Sequence, residues 1–198
     1  MRIIDWEEYI SSFSTSVPLA VTIGVFDGVH KGHQALIQRI GDSPHIPAVV
    51  TFRQNPLKTL KPDAFTGDII NLEQKLSFLE AWGVQLTILI DFSPEFSKIS
   101  GRDFIDLLLD CQPVKLIALG RNFRCGHQLD TGAEEIRSLA GARGLEVWVA
   151  PPVMDEGQPV SSSRIRQALA AGRQAEAERL LGWPLDSINP DNIVPNRR

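Results

Sequence analysis

The chain has 198 residues, a formal net charge of −4, 43% hydrophobic and 22% charged residues. This balance fits one globular domain, or at most two, and argues against a general nucleic-acid-binding surface while leaving room for a local basic pocket. Two cysteines, Cys111 and Cys125, make no metal-ligand spacing or disulfide framework, acids crowd the start, and no apolar run approaches the roughly 20 residues of a membrane span. The expectation is a cytoplasmic protein with no nucleic-acid and no membrane partner.

Apolar runs rich in β-branched residues recur at 19–26, 48–52, 86–91, 114–119 and 145–150. They lack strict alternation, which suits strands covered on both faces. The first leads through Gly24-Val25-Phe26-Asp27-Gly28-Val29-His30-Lys31-Gly32-His33 into a helix over 34–40. Spacing predicts a helix over 71–82 with Leu72, Leu76 and Leu79 on one face, Asn71 as N-cap, Gln74 closing a capping box and Gly83 as the stop. A further helix starts near Ser100 and runs through 104–109. Thr131 and Glu134 read as a capping box for one ending near Gly144. Helices over 163–171 and 175–181 follow, stopped by Gly172 and by Gly182 with Pro184. The alternation predicts an α/β fold, a Rossmann-like, doubly wound, five-stranded parallel sheet with helices on both faces. Residues 1–185 are expected to form the domain and 186–198 a loose tail.

In the common strand order 3-2-1-4-5, the first and fourth strands meet at the topological switch point, where ligands bind beyond the strand carboxyl ends. Three clusters fall near this crevice. The 24–33 turn puts two glycines and two histidines at a helix N-terminus, a place suited to phosphate. A glycine-rich surface turn or a zinc pair is the alternative, although no further zinc ligand is suggestively placed. Val160-Ser161-Ser162-Ser163-Arg164-Ile165-Arg166 opens a helix, and its hydroxyls, free N–H groups and arginine can bind an anion or simply cap. In Gly120-Arg121-Asn122-Phe123-Arg124-Cys125-Gly126, Asn122 can read a base or ribose edge, and Phe123 can stack on a ring or plug the core. His127 reads as a solvated loop residue. A weaker stretch, Thr51-Phe52-Arg53-Gln54-Asn55-Pro56, can line an acceptor pocket or merely bend back. The chain has no Walker P-loop, no G-x-G-x-x-G and no G-x-S-x-G serine. Phosphate-handling turns without a nucleophile suit direct substitution at phosphorus, where catalysis is positioning plus charge stabilisation.

Together these clusters resemble the nucleotidyltransferase superfamily marked by an H-x-G-H turn and a later I-S-S-T-x-I-R helix start. Within it, the stretch from Gly24 to Gln34 is similar to the FMN adenylyltransferase (FAD synthetase) module of the bacterial bifunctional riboflavin kinase/FAD synthetase family. The stretches at 51–52, 120–126, 160–166 and 177–184 match in turn, so the resemblance covers roughly residues 15–185. It implies that FMN phosphate attacks the α-phosphorus of ATP, giving FAD and pyrophosphate with Mg²⁺. On that resemblance His30, His33 and Arg166 are catalytic, and Gly24, Phe26, Asp27, Gly28, Gly32, Gly120, Asn122, Ser161, Ser162 and Ser163 bind ATP. Phe52, Asn55, Pro56, Phe123 and Cys125 face FMN, and Asn122 helps to place the nucleotide or its metal. The chain departs from the family pattern at Gln54, Asn55 and Cys125, all on the flavin side. No riboflavin kinase domain is expected within it, so a separate riboflavin kinase is an expected partner. A transferase with another phosphate acceptor, or a non-catalytic flavin or nucleotide sensor, is the alternative reading.

Overall fold

The computed structural model describes residues 1–188. Its main elements are β1 (Arg2–Asp5), α1 (Trp6–Ser11), β2 (Leu19–Ile23), α2 (Lys31–Gly41), β3 (Ile46–Phe52), α3 (Pro56–Leu60), α4 (Leu72–Ala81), β4 (Leu86–Ile90), α5 (Gly101–Cys111) and β5 (Val114–Gly120). A two-stranded hairpin of β6 (Arg124–Cys125) and β7 (Thr131–Gly132) precedes α6 (Ala133–Gly141) and β8 (Glu146–Ala150). A second hairpin, β9 (Met154–Asp155) with β10 (Gln158–Pro159), leads into α7 (Ser162–Ala170) and α8 (Gln174–Leu181). Of the expected tail, 186–188 close a short 3-10 turn that starts at Leu185; the remainder lies outside the described residues.

Six parallel strands are ordered β1-β4-β3-β2-β5-β8. The five expected strands stand in the expected order, and β1 adds a sixth at the edge beside β4. Only Ile4 of β1 is buried, so the strand offers no apolar run to be recognised by. β2 lies centrally, hydrogen-bonded to β3 on one side and β5 on the other, and every one of its residues is buried. Leu19, Val21 and Ile23 face α1, α5 and α6, whereas Ala20 faces α2, α4, α7 and α8. This two-sided burial is why the run reads as continuously apolar. The chain departs from β2 in opposite directions along the sheet, which puts the switch point at the carboxyl ends of β2 and β5.

Two helices differ locally from expectation. The capping box expected at Thr131 sits one residue later: Gly132 is the N-cap, and its N–H donates to Glu135 Oε2 at 3.0 Å. The Thr131 hydroxyl instead donates to Asp130. α4 keeps its capping box at Asn71 and Gln74, but the residues it buries are Lys75, Phe78 and Leu79, with Leu72 and Leu76 only half-buried. The helix is thus rotated so that a lysine enters the interior.

The β6–β7 hairpin is locked onto α5 at Gly126. Its φ is +83°, and a Cβ there would stand 2.0 Å from the backbone nitrogen of Gly101. Gly144 also has positive φ (+70°), but nothing lies within 4 Å of its Cβ position. Gly144→Ala should therefore cost about 1–2 kcal/mol, the left-handed penalty alone. Gly126→Ala should cost clearly more, because backbone must move, and a smaller urea-midpoint shift for Gly126→Ala than for Gly144→Ala would contradict this account.

Candidate active site

Beyond β2 the chain turns sharply to reach α2. Phe26 (φ +55°) and Val29 (φ +36°) adopt left-handed backbone, with Gly28 (φ +84°) between them. Non-glycine residues held this way store about 1–3 kcal/mol each, and they persist only where the surroundings over-determine them. Here they do. The Trp183 indole N–H donates to Gly28 O at 3.0 Å, and the Ser162 hydroxyl donates to Asp27 O at 2.9 Å. Gln34 Nε2 spans Val29 O and Leu181 O, both at 2.8 Å. The Asp27 carboxylate accepts the N–H groups of Ile69 (2.8 Å) and Ile70 (3.3 Å) and pairs with Arg166. Burial raises the Asp27 carboxyl, while the guanidinium and the two amides oppose that rise.

The two histidines of this turn are brought into one stack. Their ring centroids are 3.6 Å apart at 14°, and Phe26 packs on His33 at 4.9 Å. His30 is the N-cap of α2, its Nδ1 accepting the His33 N–H at 3.4 Å, so the neutral ring carries its proton on Nε2. Gly32 leaves space for that ring: a Cβ would lie 3.2 Å from it. Burial lowers His30 to about 4, and it lowers His33 well below the ordinary imidazole value, helped by His30 and Lys75. Both rings are therefore neutral near pH 7. Among the described residues, two buried side-chain polar atoms lack a partner, Thr22 Oγ1 and His33 Nδ1.

α7 presents its N-terminus beside this turn. Ser161 is its N-cap and accepts the Arg164 N–H. Arg166 reaches back to Asp27 with Nη2 and to Gly67 O with Nε at 2.8 Å. Arg164 faces the other way, to Asp155 (2.7 Å) and Glu176 (3.6 Å). Ser163 is exposed, as is Asn122 in the turn after β5, while Gly120 ends that strand. Gly24 continues the β2–β3 ladder by donating to Val50 O at 3.1 Å.

The residues expected on the acceptor side divide into two groups. Phe52, Phe123 and Cys125 are half-buried against the core shared with α1, α5 and α6. Burial pushes the Cys125 thiol up to about 12, so it stays protonated. Asn55 is buried and engaged locally: its Oδ1 caps α3 by accepting the Leu57 N–H, its Nδ2 donates to Asp68, and Pro56 takes the first helical position. Asn55 and Asp27 line a cleft together with Arg53, which belongs to the 51–56 stretch expected at an acceptor pocket, and with Asp68 and Lys75, two residues that sequence reasoning missed. A lysine within the buried phase of a helix is the only sequence signal for Lys75, and the leucine pattern of α4 obscured it. His127, expected to be solvated, is exposed, and its Nδ1 lies 3.0 Å from Ser97 O.

Residues 13–164 match the family model for FAD synthetase. The bifunctional riboflavin kinase/FMN adenylyltransferase of Escherichia coli (strain K12) is 33% identical over 169 residues, covering 83% of this chain and 54% of the relative. Its namesake in Listeria monocytogenes is 29% identical over 175 residues, covering 86% and 55%. The chain thus spans about half the length of the curated relatives it matches. A solved Streptococcus pneumoniae structure described as a macrolide-efflux protein superimposes with a TM-score of 0.81 at 31% identity, over 93% of this chain and 61% of that one. Pantoate-beta-alanine ligase from Francisella tularensis shares the fold at a TM-score of 0.56 and 16% identity, over 92% and 85%.

The buried imidazoles make stability depend on pH. In the unfolded chain His30 takes up a proton as pH falls through 6.5; folded, it does so only near 4. Its contribution is constant above pH 6.5, and stability falls by roughly 3 kcal/mol as pH drops from 6.5 to 4, with His33 acting in the same direction. His30→Asn keeps an N-cap acceptor but removes the titration. Urea unfolding at pH 7 and pH 4.5 should show a smaller acid loss for His30→Asn than for the unmutated chain.

Proposed function

The chain belongs to the FAD synthetase family, and from that premise we propose that it transfers the adenylyl group of ATP to FMN, yielding FAD and pyrophosphate. The observation that carries this reading is the stacked, neutral His30–His33 pair at the N-terminus of α2, with one buried nitrogen unpartnered. An unsatisfied buried polar atom costs about 1–3 kcal/mol, a penalty relieved when a ligand atom becomes its partner.

In the proposed reaction an FMN phosphate oxygen attacks the α-phosphorus of ATP. A new P–O bond forms as the bond from the α-phosphorus to the bridging oxygen breaks, and its electron pair leaves with pyrophosphate. Charge accumulates on the non-bridging oxygens, where neutral imidazole N–H groups and the positive end of α2 stabilise it. His30 donates from Nε2, since its Nδ1 already accepts the His33 amide. The β and γ phosphates lie against the first turn of α7. There Ser161 retains a hydroxyl proton to donate, whereas the proton of Ser162 is engaged by Asp27 O, so Ser162 contributes its backbone N–H. Arg166 holds Asp27 and Gly67 with Nη2 and Nε, leaving Nη1 for a phosphate oxygen.

Mg²⁺ enters with ATP as part of the substrate. Among the described residues no group of three His, Cys, Asp or Glu side chains is placed to hold a metal ion, and this donor set suits a cation carried on phosphate oxygens and water, with Asn122 as a neighbouring oxygen donor. The departure at Asn55 does local work, capping α3, and leaves Phe52 and Phe123 to receive the flavin. Residues 1–185 act as the transferase domain in the cytoplasm, and a riboflavin kinase supplies FMN. Among the described residues no helix is long and apolar enough to cross a membrane.

Incubation with ATP, Mg²⁺ and FMN should yield equimolar FAD and pyrophosphate. Pyrophosphate formed with another phosphate acceptor, and none with FMN, would overturn the assignment. His33→Ala should lower turnover about 100-fold or more, within the range for a removed charge-stabilising donor; an unchanged rate would remove His33 from the mechanism.

A further inference from the structure

Lys75 is buried at 6% exposure, and among the described residues it forms no ion pair. The two carboxylates in the cleft are already engaged, Asp27 by Arg166 and Asp68 by Lys58. Its ammonium instead donates to Phe52 O at 2.7 Å, Val25 O at 3.3 Å and Thr51 Oγ1 at 3.4 Å, and the Thr51 hydroxyl itself donates to Val25 O at 3.1 Å. Three donors therefore meet three acceptors, all at the exits of two adjacent parallel strands.

The position matters because the β2–β3 ladder runs out there. Its final bond at this end is Gly24 N–H to Val50 O. One residue further on, the chains separate: Val25 enters the histidine turn, and Phe52 enters the loop that carries Arg53, Asn55 and Pro56. The Lys75 ammonium bridges the two main chains where backbone pairing stops. Burial works against it, lowering the ammonium to about 8. Methionine or leucine would fill the same space without desolvating a charge, and replacing a buried ion by an apolar side chain is often neutral or stabilising. A charge held here at the expense of stability calls for a role other than packing.

Resting on the adenylyl-transfer reading, we propose that Lys75 is a positioning residue: it fixes the exits of β2 and β3 to each other, and so sets the distance and angle between the turn that holds the transferring phosphate and the loop that faces the acceptor. Each half-site keeps its own ligand contacts without Lys75. Their mutual alignment does not survive, and a misplacement of about 1 Å between reacting groups lowers a rate by about 100-fold.

The test uses Lys75→Met, with Lys75→Gln as a second variant that retains two donors. Thermal unfolding is measured first, then binary dissociation constants for ATP and for FMN, then turnover to FAD. The expected result for Lys75→Met is a melting temperature near that of the unmutated chain, binary affinities within about threefold, and kcat lowered about 100-fold. Lys75→Gln should fall between the two, and it carries the same comparison should Lys75→Met fail to fold. FAD formation by Lys75→Met at the unmutated rate would overturn the positioning role alone. Loss of ATP or FMN binding at an unchanged melting temperature would overturn it as well, making Lys75 a ligand contact. If the unmutated chain makes no FAD, the functional reading falls first and takes this role with it.

Discussion

One buried carboxylate organises this molecule. Asp27 sits in a strained turn between the central strand and α2, where its charge is costly unless fully partnered. Its partners come from two separate stretches: the backbone amides at 69 and 70, and α7, which supplies the guanidinium of Arg166 and, to the carbonyl of Asp27, the hydroxyl of Ser162. Meeting those demands draws the segment before α4 and the first turn of α7 against the histidine turn. The crevice at the sheet's switch point is thereby walled by elements that share few contacts otherwise.

The same economy explains the chemistry of the histidines. Stacked against each other and against Phe26, they are too buried to carry charge near neutral pH. His30 caps α2 and has its tautomer fixed by the His33 N–H it accepts, so under the proposed adenylyl transfer it is a neutral donor held in place by the helix. A cationic pair at this spot would bind triphosphate tightly in the ground state. Under the proposed adenylyl transfer, neutral donors favour the charge that develops only as the phosphorus is attacked.

Much of this was legible in the sequence because the physics there is local. The five apolar runs, the glycine stops and the cap at Asn71 each act within a few residues, and the histidine turn announces itself by position after a strand. What escaped reading depends on distant partners. β1 is a strand because β4 offers a free edge, not because its own four residues demand it. α4 turns Lys75 inward because carbonyls wait for it at two strand ends, and no count of leucines in the helix reveals them. Asn55 lines the cleft, and the sequence does not show that its side chain also caps α3 and donates to Asp68. Asp27 lines the cleft too, and no local pattern announces its pairing with Arg166, 139 positions away.

Those sequence separations shape how the molecule comes into being. Trp183 reaches Gly28 across 155 positions, and Leu181 reaches Gln34 across 147. Contacts of such range are closed late, after loop entropy has been overcome by the sheet and its nearer helices. During synthesis, α2 and most of the sheet emerge long before α7 and α8. The histidine turn therefore waits, unbraced, until α7 and α8 have been made, and its strained backbone settles only when those two helices dock. Folding and the assembly of the crevice finish together, so a nascent chain holds the histidines long before it holds the geometry that uses them.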